Sequence, residues 1–297
     1  MKQRAVKAGR ALNDAVTRRL KHLPNKLPEM LNKPHDNEDA ITRFFFSRYE
    51  LVVAGTNEER DISYKTRHKV YCEEMKFERE NENAVEIDQY DERAVTCFIR
   101  HLPTGECAGT IRLVLPTERG LSLPLEKICG DAIENSSLLP SNLHPTSVCE
   151  ISRLAIPKDF RLRQMRTKIR TSFNNASNGE GAAALEHFPY LSTALYLMVT
   201  SVCVHLDINH AYVLMEPKLA RKMRTFGINF RSVGREIEHN GIRKPYRLSR
   251  DTMLRELSKP LRRFQSDIDA RLSDTLQSID AACIIPSKIS RKVANAA

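Results

Sequence analysis

At 297 residues, 41% hydrophobic and 28% charged, the chain has the composition of a soluble globular protein and the length of one large domain or two. No apolar run approaches the roughly 18–20 residues that cross a bilayer, and the N-terminus lacks the continuous apolar stretch of a secretory signal. A membrane-spanning or exported protein is therefore not expected, and the expected location is the cytoplasm.

The net charge of +10 points to an acidic partner: nucleic acid, an anionic membrane or an acidic protein. Much of it is local, because residues 1–35 hold nine Lys and Arg against Asp14 and Glu29. Seven cysteines, odd in number and without a CxxC pair, suit a reducing compartment and give no metal site.

In chain order, residues 1–40 read as a basic, partly disordered extension. Its apolar residues recur at helical spacing up to Leu23, and prolines break the pattern over 24–34. A solvated extension is the expectation, with a partner-docking helix or peripheral contact with the inner membrane as the alternative. The core begins near Ile41. Residues 44–55 (FFFSRYELVVAG) read as a first strand and 63–77 as a helix with Tyr64, Arg67, Val70 and Tyr71 on one face. Residues 93–117 form a hairpin around Pro103-Thr104-Gly105, and 118–147 an irregular loop with a helical piece near Leu125 to Ile128. The central strand is VCEISRLAIP, ending at Ile156.

A basic helix start and a small polar loop cover 161–183. A core helix follows over 190–206, then a strand at 210–215 and a helix at 216–227 closed by Gly227. A hairpin around Asn240-Gly241 ends the core. Residues 251–297 read as a helical appendage and polar tail. The expected fold is α+β: a mixed β-sheet flanked by helices, in a domain over 41–250.

Glu150 is the informative residue, since a carboxylate in a buried strand needs a partner or a task. Alternation sets Cys149 on the opposite face, where packing is its expected role. Tyr190, Tyr196 and Met198 read as core or the wall of an apolar pocket. Arg67, Asp88, Asp91 and Arg112 read as a charge network able to bind an ammonium or a carboxylate.

The order Arg67…Tyr71…Phe77, Glu86-x-Asp88-x-x-Asp91, Gly109-Thr-Ile-Arg112-Leu-x-x-Pro-Thr and Glu150-x-Ser152-Arg153 resembles the acyl-homoserine-lactone (autoinducer) synthases and N-acyl amino acid synthases. Nearer still is the likeness to the acyltransferases associated with PEP-CTERM/exosortase systems. The resemblance covers about residues 42–250 and implies a GNAT-like acyl-CoA N-acyltransferase fold. It implies transfer of a fatty acyl group from the phosphopantetheine thioester of acyl carrier protein, with acyl-CoA as the other donor, to an amino acid or related amine, with no tightly bound cofactor.

Glu150 is then the candidate general base, with Arg153 beside it; the other reading pairs Glu150 with Arg153 or Arg112 as a purely structural ion pair. Arg67, Tyr71, Phe77, Asp88, Asp91, Arg112 and Ser152 face the acceptor. Backbone at Leu154, Ala155 and Ile156 meets the pantetheine arm. Two departures stand out. Phe77 occupies the place of a usual Trp. The segment after the central strand has no glycine to cradle a CoA diphosphate, and Arg161, Arg163 and Arg166 offer a single phosphodiester their charge instead.

An S-adenosylmethionine-dependent autoinducer synthase is the alternative activity. A basic nucleic-acid-binding protein is the alternative of another class, disfavoured by the absence of a reading module and by 6% aromatic content.

Overall fold

The computed structural model describes residues 40–116, 122–166, 168–170, 184–186, 189–225 and 227–278. The basic extension over 1–39, the polar loop over 171–183 and the tail over 279–297 lie outside the described residues.

Helix α1 (Ala40–Phe46) leads into β1 (Tyr49–Val53), and α2 (Asn57–His68) runs on into a π-helical turn, Lys69–Glu74. Then come β2 (Ala94–His101), β3 (Cys107–Val114), α3 (Pro124–Cys129), β4 (Val148–Ala155) and α4 (Lys158–Arg166). A small separate ladder joins β5 (Lys168–Arg170) to β6 (Ala184–Glu186). The chain continues through α5 (Tyr190–His205), β7 (His210–Met215), α6 (Pro217–Arg224), β8 (Arg231–Ser232), β9 (Ile237–Glu238), β10 (Ile242–Ser249), α7 (Arg250–Glu256) and α8 (Lys259–Ser278).

The main sheet has eight strands in the order β1-β2-β3-β4-β7-β10-β8, with β9 on β10. Every pairing is antiparallel except β4 with β7. That mixed sheet with helices on both faces is the expected fold class.

Period-two alternation assigns the two faces. Cys97, Ile99, Ile111, Leu113, Cys149, Ile151 and Val213 share one core with α5 and α8. Helix α5 is buried on every side, its Ser and Thr included, as a fully covered helix is, and Tyr190, Tyr196 and Met198 are buried in it. Cys149 sits there as expected, 3.9 Å from the sulfur of Cys203. Helix α8, within the expected appendage, inserts Leu261, Phe264, Ile268, Leu272 and Leu276 into this same core. The opposite face carries Phe98, Thr110, Arg112, Val114, Val148, Glu150 and Tyr212, covered by α2 and α3.

Four local differences from the sequence reading have physical causes. The Phe44–Phe46 run is helical rather than extended, because α1 turns Phe45 edge-on to Phe264 of α8, 5.2 Å away. Helix α2 starts at Asn57, ahead of the expected 63, on a reciprocal capping box between Thr56 and Glu59. Strand β4 ends at Ala155, and Pro157 lets α4 begin at Lys158 instead of 161. The 230–249 hairpin is one long strand, β10, with two short partners; Asn240 and Gly241 do take the positive φ that their turn requires.

Gly227 closes α6 as expected: its amide bonds the Arg224 carbonyl and the Ile228 amide bonds that of Met223. Its φ is +91°, and an added Cβ would lie 2.7 Å from the Glu256 carbonyl oxygen. Gly227→Ala is expected to cost about 1–3 kcal/mol, measured as a shifted urea midpoint with an unchanged m-value.

Candidate active site

The site is made by two irregularities in β4. Its parallel pairing with β7 covers only Val148↔His210, Cys149↔Ala211 and Glu150↔Tyr212. Beyond Glu150 the two strands part. On the other side, Arg112 pairs with Ser152 but Thr110 pairs with Ala155, so three steps on β4 oppose two on β3. That is a β-bulge, and Arg153 takes it up at φ +53°. Alternation alone would send Arg153 to the Cys149 face. The bulge instead turns it toward the carboxylates that Arg112 meets, and returns Leu154 and Ile156 to the core.

Three arginines and three acids then close on one another. Arg67, fully buried on α2, gives Nη1 and Nη2 to Asp91 at 2.7 and 3.0 Å and its Nε to Glu86. Arg112 holds Asp88 bidentately at 2.7 and 3.0 Å, lies 2.9 Å from Asp91, and donates Nε to Ser152 Oγ at 3.2 Å. Arg153 reaches Glu86 at 3.0 Å and Asp88 at 3.1 Å.

Burial pushes the Asp91 carboxyl up, but Arg67 and Arg112 outweigh it and hold the group well below the usual range. Arg153 and Asp88 are the solvent-reachable members, with side chains 27% and 23% exposed. The geometry thus joins Arg67, Asp88, Asp91, Arg112, Ser152 and Arg153 in one cluster.

Glu150 is 3% exposed and accepts the Leu125 amide of α3 at 2.7 Å. The expected alternative, an ion pair with Arg112 or Arg153, is not formed: those guanidinium groups serve Asp88, Asp91 and Glu86. Neighbouring Arg93 donates to the carbonyls of Leu115 and Ser122. Among the described residues Glu150 has no salt-bridge partner. Burial therefore dominates and raises its pKa to about 7, against the lesser pull of the Leu125 amide and the surrounding arginines.

Tyr71, in the π-turn, donates its hydroxyl to the Leu154 carbonyl at 2.8 Å, with Arg153 5.7 Å above its ring. Phe77 follows that turn, half-buried, its amide on the Tyr71 carbonyl at 2.8 Å. Arg161, expected to offer its charge to a phosphate, has partners within the chain. It bonds the Ile156 carbonyl at 2.6 Å and Glu74 at 2.9 Å. Arg163 is exposed and stacks on Phe160.

Two residues outside the expected site set also contribute. Glu86 bridges Arg67 and Arg153, and its place in the E-x-D-x-x-D spacing was the signal for it. Glu74 carries no such signal. An open groove of about 660 Å³ lies apart from the cluster, beside Leu138, Val233, Arg235 and Lys244. No group of three or more potential metal ligands occurs among the described residues.

The acetyltransferase (GNAT) domain family matches residues 66–170, the span from α2 through the bulged strand to β5. No curated protein matches the chain. Solved structures do. TofI, in a ternary complex with an inhibitor and MTA, superposes with a TM-score of 0.51 at 14% identity, over 72% of this chain and 96% of its own. BjaI, a CoA-dependent acyl-homoserine lactone synthase with SAM and isopentyl-CoA, gives 0.50 at 15%, over 75% and 89%. FeeM, an N-acyl amino acid synthase from uncultured soil microbes, gives 0.49 at 15%, over 73% and 98%. The likeness to TofI and BjaI speaks for the fold. With the domain match it defines the class: an acyltransferase built on the GNAT fold.

Two outcomes follow for stability. Asp91→Asn removes the charge that Arg67 and Arg112 share, leaving them Glu86 and Asp88 respectively, and is expected to cost about 3–5 kcal/mol in chemical denaturation. Glu150 ionises less readily in the fold than in the unfolded chain, so its contribution is fullest below the ordinary carboxylate pKa and is lost as pH rises through about 7. Glu150→Gln is thus expected to be more stable than the parent by about 1–3 kcal/mol near pH ~8.5, the gap closing toward pH ~4.

Proposed function

We propose that the chain is an N-acyltransferase that moves a fatty acyl group from the phosphopantetheine thioester of acyl carrier protein to the amine of an amino acid or related small molecule. The observation that carries this reading is Glu150: a buried carboxylate without a cation, poised near neutrality, at the point where β4 leaves β7.

The chemistry needs a base for the amine, stabilisation for the thioester oxygen and an exit for the thiolate. The attacking nitrogen forms a bond to the carbonyl carbon and gives its proton to Glu150, directly or through a water. The carbon–sulfur bond then breaks, and the thiolate leaves to take up a proton. Backbone of the freed stretch from Ile151 to Ala155 is the source of hydrogen bonds for the pantetheine arm and the developing oxyanion. Asp88 and Arg153 are suited to an acceptor carrying both an ammonium and a carboxylate. Arg67 and Asp91, fully enclosed, hold those two in place. Phe77, bonded through its amide to the Tyr71 carbonyl, is our candidate for an aromatic wall of the acceptor site.

The basic charge favours an acidic carrier protein as partner. Within the class, the ordered motifs favour the group associated with PEP-CTERM/exosortase systems. A cytoplasmic location goes with this reading, and no helix among the described residues is long and apolar enough to cross a membrane.

With an acylated carrier protein and amino acid acceptors, mass spectrometry is expected to find an N-acyl amino acid. An acyl lactone formed from S-adenosylmethionine would transfer the chain to the autoinducer alternative. Glu150→Gln is expected to lower kcat/KM about a hundredfold. In the parent, kcat/KM should climb with pH through about 7, as a base that must be deprotonated requires.

A further inference from the structure

The π-turn touches the far end of β4 and the helix that follows it. Tyr71 holds the Leu154 carbonyl, and three residues later Glu74 reaches the start of α4. The Glu74 carboxylate accepts the Lys158 amide at 3.0 and 3.1 Å and the Arg161 guanidinium at 2.9 Å. Its side chain is 14% exposed.

On the acyl-transfer reading, on which this inference rests, the thioester lies by Glu150. The open edge of β4 begins just past that residue and ends at Ala155, a length of about 16 Å at the usual strand rise. A pantetheine arm laid along this edge comes out at the first turn of α4. There a free amide, the helix dipole and an arginine would ordinarily receive the phosphate. In this chain an internal carboxylate already satisfies the amide and the guanidinium.

We propose that Glu74 is a specificity-determining residue for the donor, set against coenzyme A thioesters. A diphosphate arriving at this point must expel Glu74 or lie against its charge. A carrier-protein donor brings one phosphodiester and draws the rest of its binding from protein contacts, so it is penalised less. Glu74 touches no reacting atom; it acts on which arm can be seated.

The test compares acyl-CoA with the same acyl chain on carrier protein, for the parent and Glu74→Gln, as kcat/KM with a common acceptor. The ratio of CoA to carrier-protein turnover is expected to rise at least about tenfold in the variant, as removal of one close charge repulsion allows. An unchanged ratio would overturn the proposal. Calorimetric titration with CoA alone reads the same effect without turnover, and tighter binding by the variant is expected. If Glu74→Gln does not fold, Glu74→Asp withdraws the carboxylate by one methylene and should shift the ratio in the same direction. Absence of transfer from either donor by the folded parent would overturn the acyl-transfer reading itself, while the CoA titration would still decide the role of Glu74.

Discussion

Charge balance inside the cleft is the constraint on which the remaining features depend. Arg67, Arg112 and Arg153 meet Glu86, Asp88 and Asp91 in a closed set of short contacts. Burying charge is costly unless each group finds its opposite; Arg67, Glu86, Asp91 and Arg112 are buried, and each does. The consequence falls on Glu150. Every nearby guanidinium is engaged elsewhere, so burial decides its pKa, and the carboxyl is poised near neutral pH instead of being locked as an anion. A direct Glu150–Arg153 pair would have given a stable strand and a poor base.

Backbone irregularity is what lets this balance coexist with a donor site. A regular β4 would put Arg153 into the apolar core and would stay paired to β7 along its length. One extra residue moves the guanidinium to the polar face, and the early end of the β7 ladder leaves the next stretch open. The π-turn braces that stretch through Tyr71 and Glu74. It continues directly from α2, which carries Arg67, so the acceptor-side network and the donor-side strand are fastened to one continuous helical element.

Much of this was legible in the amino-acid order. Alternating apolar residues marked the strands, the apolar-rich segment over 190–206, with Ser and Thr throughout, marked the core helix, and Asn240-Gly241 and Gly227 marked their turns. Glu150 announced itself by its unlikely setting, and the motifs carrying Arg67, Asp88, Asp91 and Arg112 marked a charge network, whereas Arg153 was expected beside Glu150. What stayed hidden depends on backbone geometry that side-chain periodicity does not encode. A bulge shifts which of two neighbours faces inward, so the partner of Glu150 could not be told from spacing. The amide that binds Glu150 comes from Leu125, in an irregular segment. Arg161 looked available because nothing in the sequence placed Glu74, 87 positions away, against it. The Phe44–Phe46 run misled for a related reason: aromatic residues favour strands, but the tertiary contact with Phe264 favours a helix.

The ionisation of Glu150 tests the account most directly. Infrared difference spectra of the carboxyl band, taken across a pH titration of the protein and of Glu150→Gln, isolate this one group. A midpoint near 7 is predicted. A midpoint at the ordinary carboxylate value of 4.5 would mean that Glu150 has found a cation after all, and would contradict its role as the proton acceptor.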